Sequence, residues 1–384
     1  MLEKILIARR GAAAAAIARS LRRLDREAVA LVLSDSEEGV HVEACDAILV
    51  AKQGPSGEID FADLLARAKE AGISAVHPGW GASPSDQALR EACEASGLIF
   101  LGPSLEDVRL LEDHEALAAR FEEAGFRFGP LVVEARPRLL DVIVASDTHG
   151  NIHALPEIER TLRRGDETQI EECPSADLVF RADGLSIRHY LQDVAIRAAA
   201  ALGSVGLLTV HAAVSADGGA SVYGLSRGLP RSAGLVEMAC AVDAVELQLI
   251  VAEGGELPHE LEMTEPSGHA IAAHVRLVHE GDLGRPASEV RFPPAPMRRI
   301  RFEPALLPGG AATRDDGMSL AHVIAYAPIR HQALLQLDRF VAELELSPLQ
   351  TTKGTIRRLL SYEGVRAGLY DTTTMERFDG ASPS

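Results

Sequence analysis

Lysine is nearly missing from this chain. Among 384 residues there are only Lys4, Lys52, Lys69 and Lys353, against 34 arginines, and residues 70–352 form a run of 283 without one. Lysine is the usual point-charge donor to a phosphate, and arginine's planar fork is a different tool. Any phosphate chemistry in the middle of the chain must therefore manage without ammonium groups. Aromatic residues are also scarce, at 4%, with Trp80 the single tryptophan, so the cores must be built from Ala, Leu, Val and Ile. Cys45, Cys93, Cys173 and Cys240 are scattered and form no CxxC pair, which excludes a disulfide framework and suits a reducing compartment. A net charge of −18 excludes the basic face that nucleic acids or anionic membranes require. The alanine run Ala12–Ala16 is interrupted on both sides by Arg9, Arg10, Arg19, Arg22 and Arg23, so it gives neither a signal peptide nor a membrane span. The expected location is the cytoplasm.

What is present is an alternation of short apolar runs and helical stretches. Strands are expected at residues 4–8, 28–33, 47–50, 74–77 and 98–101, with helices over 12–24, 61–71 and 87–96. Such alternation at short spacing predicts a parallel, doubly wound sheet whose strand ends point toward Gly11, Ser34, His77 and Gly102. Residues 105–125 read as helical. Beyond Phe128-Gly129-Pro130, strands are expected at 131–134 and 140–145, followed by a helix over 189–202. A hairpin of 207–214 and 220–225 turns at Asp217-Gly218-Gly219. Further helices are expected over 236–251, 329–345 and 353–361.

Seven segments in order resemble the biotin carboxylase family, the ATP-grasp component of acyl-CoA and pyruvate carboxylases. They are the opening strand and turn Met1–Gly11, Ala75-Val76-His77-Pro78-Gly79-Trp80-Gly81, Leu98–Ser104, Glu171-Glu172-Cys173-Pro174, Val236–Asp243, Gly268-His269-Ala270-Ile271 and Asp316-Gly317-Met318. The resemblance runs nearly end to end. It implies a biotin-carboxylase-like α/β fold. Residues 1–125 are expected as a doubly wound N-terminal domain, 130–260 as a truncated ATP-grasp remnant, and 261–384 as an α+β C-terminal domain.

The departures from the family pattern fall on its chemistry. The glycine-rich lid that closes over the triphosphate has no room between Gly125 and Leu131, so water is not excluded there. The family's lysine before Glu-Glu-Ala-Pro falls on Thr168. Its two metal-binding glutamates fall on His211 and Gly224, and its arginine after Gly-His-Ala-Val falls on His274. Hard Mg²⁺ wants paired oxygen ligands, which a histidine and a glycine do not supply. Residual ligand contacts are expected at His77, Glu134, Arg227, Arg231 and Arg276, with no metal and no cofactor.

These departures point to a catalytically inactive relative. It is expected to be a structural or regulatory subunit of a biotin-dependent acyl-CoA carboxylase, partnered by itself or by biotin carrier and carboxyltransferase subunits. One alternative is an ATP-dependent carboxylase or ligase with a rebuilt site. A weaker one is a metal-dependent phosphoesterase using Asp147 and His149 of Asp147-Thr148-His149-Gly150-Asn151. That sequence equally reads as a polar turn. Helix residues Arg19, Arg22 and Arg23 lie where the resembled family self-associates.

Overall fold

The short apolar runs of the first hundred residues become five parallel strands. These are β1 (Lys4–Ile7), β2 (Glu27–Val32), β3 (Ala47–Val50), β4 (Ala75–His77) and β5 (Ile99–Phe100), in the order β3-β2-β1-β4-β5. The connecting helices α1 (Gly11–Arg23), α2 (Val40–Ala44), α3 (Phe61–Glu70) and α4 (Gln87–Ser96) cover the sheet. Strands buried on both faces read as unbroken aliphatic runs, as Ile5, Leu6 and Ile7 do. This computed structural model describes residues 1–54, 57–81, 86–132, 136–294, 299–311 and 318–380. Strand order reverses between β1 and β4, which leaves a crevice at their C-terminal ends. Arg9 fills it, its Nε donating to the Pro78 carbonyl at 3.0 Å. Gly79 has φ +101°, and a Cβ there would come within 2.8 Å of the Arg9 side chain, so only glycine lets arginine cross.

The single helix expected over 105–125 is two: α5 (Leu105–Glu112) and α6 (His114–Glu123). Asp113 separates them and caps the second, accepting the Ala116 N–H at 3.0 Å. The strand expected at 131–134 does not form over Leu131 and Val132, and Glu134 lies outside the described residues.

Beyond residue 137 the architecture becomes antiparallel. Strands β6 (Arg138–Ser146), β7 (Ile152–Ala154), β8 (Ile158–Arg164), β9 (Glu167–Cys173), β10 (Gly206–Val214), β11 (Ala220–Arg227) and β12 (His269–Arg276) belong to one large sheet. A short strand β13 (Glu289–Arg291) leaves it, and β14 (Ile300–Pro304) and β15 (Ser319–Ala327) complete it. The path is β11-β10-β6-β8-β9-β12-β15-β14, with β7 beside β6, nine strands in all. Residues 270–273 of β12 pair with 170–173 of β9, so this sheet runs without interruption through chain on both sides of residue 260.

Helix α7 (Ala176–Phe180) packs on α8 (Gly184–Ala201), which lies on β6 and β7 and buries Leu191, Val194 and Ala198. The helix expected over 236–251 breaks at Ala241, whose φ of 59° is left-handed. It gives α9 (Ala233–Cys240) and α10 (Ala244–Ala252). Asp243 restarts the chain by accepting the Val245 N–H at 3.0 Å. At the other end α11 (Arg330–Glu343) packs on β12 and β15. It is followed by β16 (Glu345–Ser347), which pairs with β13, and by α12 (Lys353–Ser361), α13 (Glu363–Ala367) and α14 (Thr374–Gly380).

The two sheets meet at α10, where His77 makes one of the contacts. It is fully buried; its Nδ1 accepts the Gly79 N–H at 3.0 Å, so Nε2 carries the proton and donates to Gln248 Oε1 at 3.2 Å. Burial pushes its pKa down to about 4, partly offset by Gln248. The unfolded imidazole protonates near pH 6.5, so between pH 6.5 and 4 the unfolded state holds more protons and stability falls as pH falls. Between pH 8 and pH 5, urea unfolding is expected to show about 2 kcal/mol of loss that a His77→Gln variant does not share.

Candidate functional site

One polar side chain from each of the eight strands on the path through the large sheet enters a single line. In strand order they are Ser226, His211, Asp141, Arg160, Glu171, His274, His322 and Glu303. Register aligns them. His211 lies opposite Asp141, His274 opposite His322, and Glu303 opposite His322, while Glu171 lies opposite Ala272, two residues from His274 on the same face. Side chains alternate along a strand, so such partners project together.

Contacts run from each member of the line to the next. His211 Nε2 is 3.1 Å from Ser226 Oγ, and its Nδ1 is 2.7 Å from Asp141 Oδ1. Arg160 donates to Asp141 Oδ2 at 2.7 Å, and its Nε lies 3.2 Å from Glu171 Oε1. His274 Nε2 is 2.9 Å from Glu171 Oε2, and its ring stacks on His322 with centroids 4.5 Å apart. His322 Nδ1 is 3.0 Å from Glu303 Oε2. From Glu303 the network continues through Arg301, at 2.6 Å, to Glu237, Arg23 and Asp243, which reaches α1 and α10. Burial would raise the Asp141 carboxyl, but the facing His211 and Arg160 outweigh it and hold its pKa at about 2. Burial pushes the His274 imidazole down to about 4 against the pull of Glu171.

A cavity of about 320 Å³ opens over the middle of this line. Thr168, His211, Arg231, His274 and Arg276, all singled out in the sequence, border it together with Trp80. Thr168 accepts from Arg160 at 3.3 Å. Arg276 is paired with Glu167, and Arg231 lies over the Trp80 ring at 5.0 Å. Gly224 faces His211 across the hairpin, and a Cβ at Gly224 would lie 3.3 Å from the imidazole. With both His211 nitrogens engaged and no side chain opposite, this pair of positions does not fit a magnesium ion.

Other expected residues lie elsewhere. His77 is in the packing under α10. Arg227 is buried and turns to Asp107 on α5 at 2.7 Å, away from Arg231. Asp147 accepts four hydrogen bonds, from the N–H groups of His149, Asn151 and Leu257 and from the Asn151 amide, which fills a carboxylate's acceptor sites. These bonds hold its pKa well below the usual range, against the opposing effect of desolvation. His149 is exposed, with Nε2 2.9 Å from the Gly254 carbonyl. The motif is a turn built around its own aspartate.

Sequence reasoning passed over Asp141, Arg160, His322 and Glu303. A signal did exist, a lone charged or imidazole residue inside an apolar strand, as in Leu139–Ala145 around Asp141 and Leu320–Ile324 around His322.

The chain is therefore a parallel α/β domain joined to an antiparallel sheet, with a cavity bordered by residues of both. Residues 1–108 match the family of biotin carboxylase N-terminal domains, and residues 110–260 match the ATP-binding domain of the carbamoyl-phosphate synthase L chain. The chain belongs to the biotin carboxylase family. It is 27% identical over 442 residues to a biotin carboxylase of Halalkalibacterium halodurans, with 96% of each covered. It is 25% identical to the α subunit of a mitochondrial methylcrotonoyl-CoA carboxylase of Oryza sativa subsp. japonica. There the match covers 98% of this chain but 60% of the relative. The biotin carboxylase domain of a thermophilic 2-oxoglutarate carboxylase superposes with a TM-score of 0.86 at 20% identity, covering 99% of this chain and 98% of that one. Pyruvate carboxylase from Rhizobium etli gives 0.84 at 21% identity, over 100% of this chain and 40% of that one. At these identities the structural matches speak for the fold alone.

Asp141→Ala leaves Arg160 and His211 without their shared counter-charge. Urea unfolding at pH 7 is expected to show a loss of about 3 kcal/mol. His211→Ala, which leaves Asp141 its bond to Arg160, is expected to cost about 1 kcal/mol.

Proposed function

We propose that this chain is a biotin carboxylase relative that does not itself carry out ATP-dependent carboxylation. It would serve as a structural or regulatory subunit of a biotin-dependent acyl-CoA carboxylase in the cytoplasm. The observation that carries the reading is Arg160. It is the central cation of the cavity, and it is bracketed by Asp141 and Glu171. A guanidinium held between two carboxylates is neutralised before any phosphate or bicarbonate arrives. Thr168 stands where the family pattern has lysine. Residues 124–137 join α6 directly to β6, where the resemblance places a lid. The match to the H. halodurans enzyme spans 442 residues against a chain of 384, so the relative carries dozens of residues that this chain lacks.

The intended partners are a second copy or other carboxylase components, the biotin carrier and carboxyltransferase, since a matched relative is named as a carboxylase subunit. Arg19 and Arg23 of α1 bind Glu303, Glu237 and Asp243 within the chain, and Arg22 binds the Ala44 carbonyl. That shifts the candidate contact surface toward the cavity mouth at Trp80 and Arg231. No helix among the described residues is long and apolar enough to cross a membrane.

A second reading, an ATP-dependent carboxylase with a rebuilt site, draws on the presence of Arg160, Arg231 and Arg276 around one cavity. Phosphate release from ATP with bicarbonate and free biotin separates the two. Loss of one electrostatic donor costs about 10²–10³ in rate, so with several gone the expected rate equals that of buffer. Bicarbonate-stimulated turnover would establish the second reading instead. Trp80 reports on binding by fluorescence. No saturable change is expected with MgATP at low micromolar concentration, since such affinity requires about 8 kcal/mol. Sedimentation with co-expressed carrier and carboxyltransferase tests the subunit role, and a strictly monomeric species that binds neither would refute it.

A further inference from the structure

The C-terminal half of the polar line contains an arrangement that carboxylation does not explain. Glu171 on β9, His274 on β12 and His322 on β15 come from three adjacent strands and project from one face, as their register requires. One ligand atom from each lies within 4.8 Å of the other two, and all three residues are buried. We propose that Glu171, His274 and His322 bind a single divalent transition ion of the zinc type.

Three independent features support this assignment. His322 donates through Nδ1 to Glu303, so its lone pair is on Nε2. That atom is buried and has no hydrogen-bond partner among the described residues. Buried imidazole nitrogens are normally paired, and a metal ion is one partner that such a nitrogen is built to take. Glu303 is in turn held by Arg301 at 2.6 Å, which completes the outer carboxylate–histidine arrangement that orients metal-binding imidazoles. Finally, Glu171 and His274 border the cavity of about 320 Å³, so a fourth position is open to water or a small ligand. Two imidazoles and one carboxylate with an open position suit Zn²⁺, Co²⁺ or Ni²⁺, whereas Mg²⁺ prefers all-oxygen octahedral sites. The site lies three to five strands from His211 and is separate from the positions where the family pattern places its glutamates.

The ion would displace the present contact between His274 and Glu171 by inserting among the three groups, while Arg160 keeps its bond to Asp141. Cys173 at the end of β9 and Cys240 at the end of α9 lie near each other and are the competing soft ligands to distinguish. The test uses the full chain, stripped with chelator, reloaded with Zn²⁺ and dialysed. One equivalent of retained zinc is expected by elemental analysis. X-ray absorption at the zinc edge should then show a nitrogen and oxygen shell with two imidazoles and no sulfur. This measurement needs no variant, so it holds even if a substitution unfolds the protein. The Co²⁺ form should show visible ligand-field bands without a thiolate charge-transfer band. His322→Phe and Glu171→Gln are each expected to weaken zinc binding at least tenfold, and Glu303→Gln about tenfold through loss of orientation. Failure to retain zinc, a sulfur-containing shell, or unchanged affinity in a folded His322→Phe protein would overturn the assignment. In that case His322 Nε2 is satisfied by water.

Discussion

The structure depends on charge balance across one buried sheet face. Eight strands each contribute a polar group to the same line, and a buried charge is tolerated only when paired and hydrogen-bonded. Arg160 answers two carboxylates, Asp141 answers an imidazole and a guanidinium, and Glu303 answers Arg301, Arg19 and His322. Removing one member exposes the next, so the line behaves as a connected unit. Its far end, through Glu237 and Arg23, fastens the antiparallel sheet to α1 of the parallel domain. The same chain of contacts thus fills the cavity floor and docks the two domains.

That balance has a chemical consequence. A site that stabilises developing negative charge needs cations directed at open space. Here the central cation points at the protein's own carboxylates. The cavity persists because the apolar pattern of the strands persists, and it keeps the family's architecture at a TM-score of 0.86 with 20% identity. Packing patterns survive extensive substitution provided volume and periodicity are kept.

Much of this was readable in advance. Aliphatic runs and their spacing were enough to predict the parallel domain, with β3 and α4 falling on the expected residues, because strand and helix periodicity is a local property. The hairpin at Asp217–Gly219 was legible for the same reason. The failures also have local causes. One helix became α9 and α10 because Ala241 takes a left-handed conformation that no glycine announces. Arg227 and Arg231 were both expected as ligand contacts, yet only four positions apart they turn in different directions, one to Asp107 and one to Trp80.

From the sequence alone came the family, the alternating architecture, the missing lysines and the positions where Thr168, His211, Gly224 and His274 depart from the expected chemistry. Those are statements about residue identity and spacing. Only tertiary structure decided what the new residues touch. Glu171, His274 and His322 are separated by 103 and 48 positions in the chain, yet they meet because β9, β12 and β15 are neighbours in an antiparallel sheet. Register between distant strands is fixed by the pairing of whole faces, not by any local signal, so such a cluster has no signature along the chain.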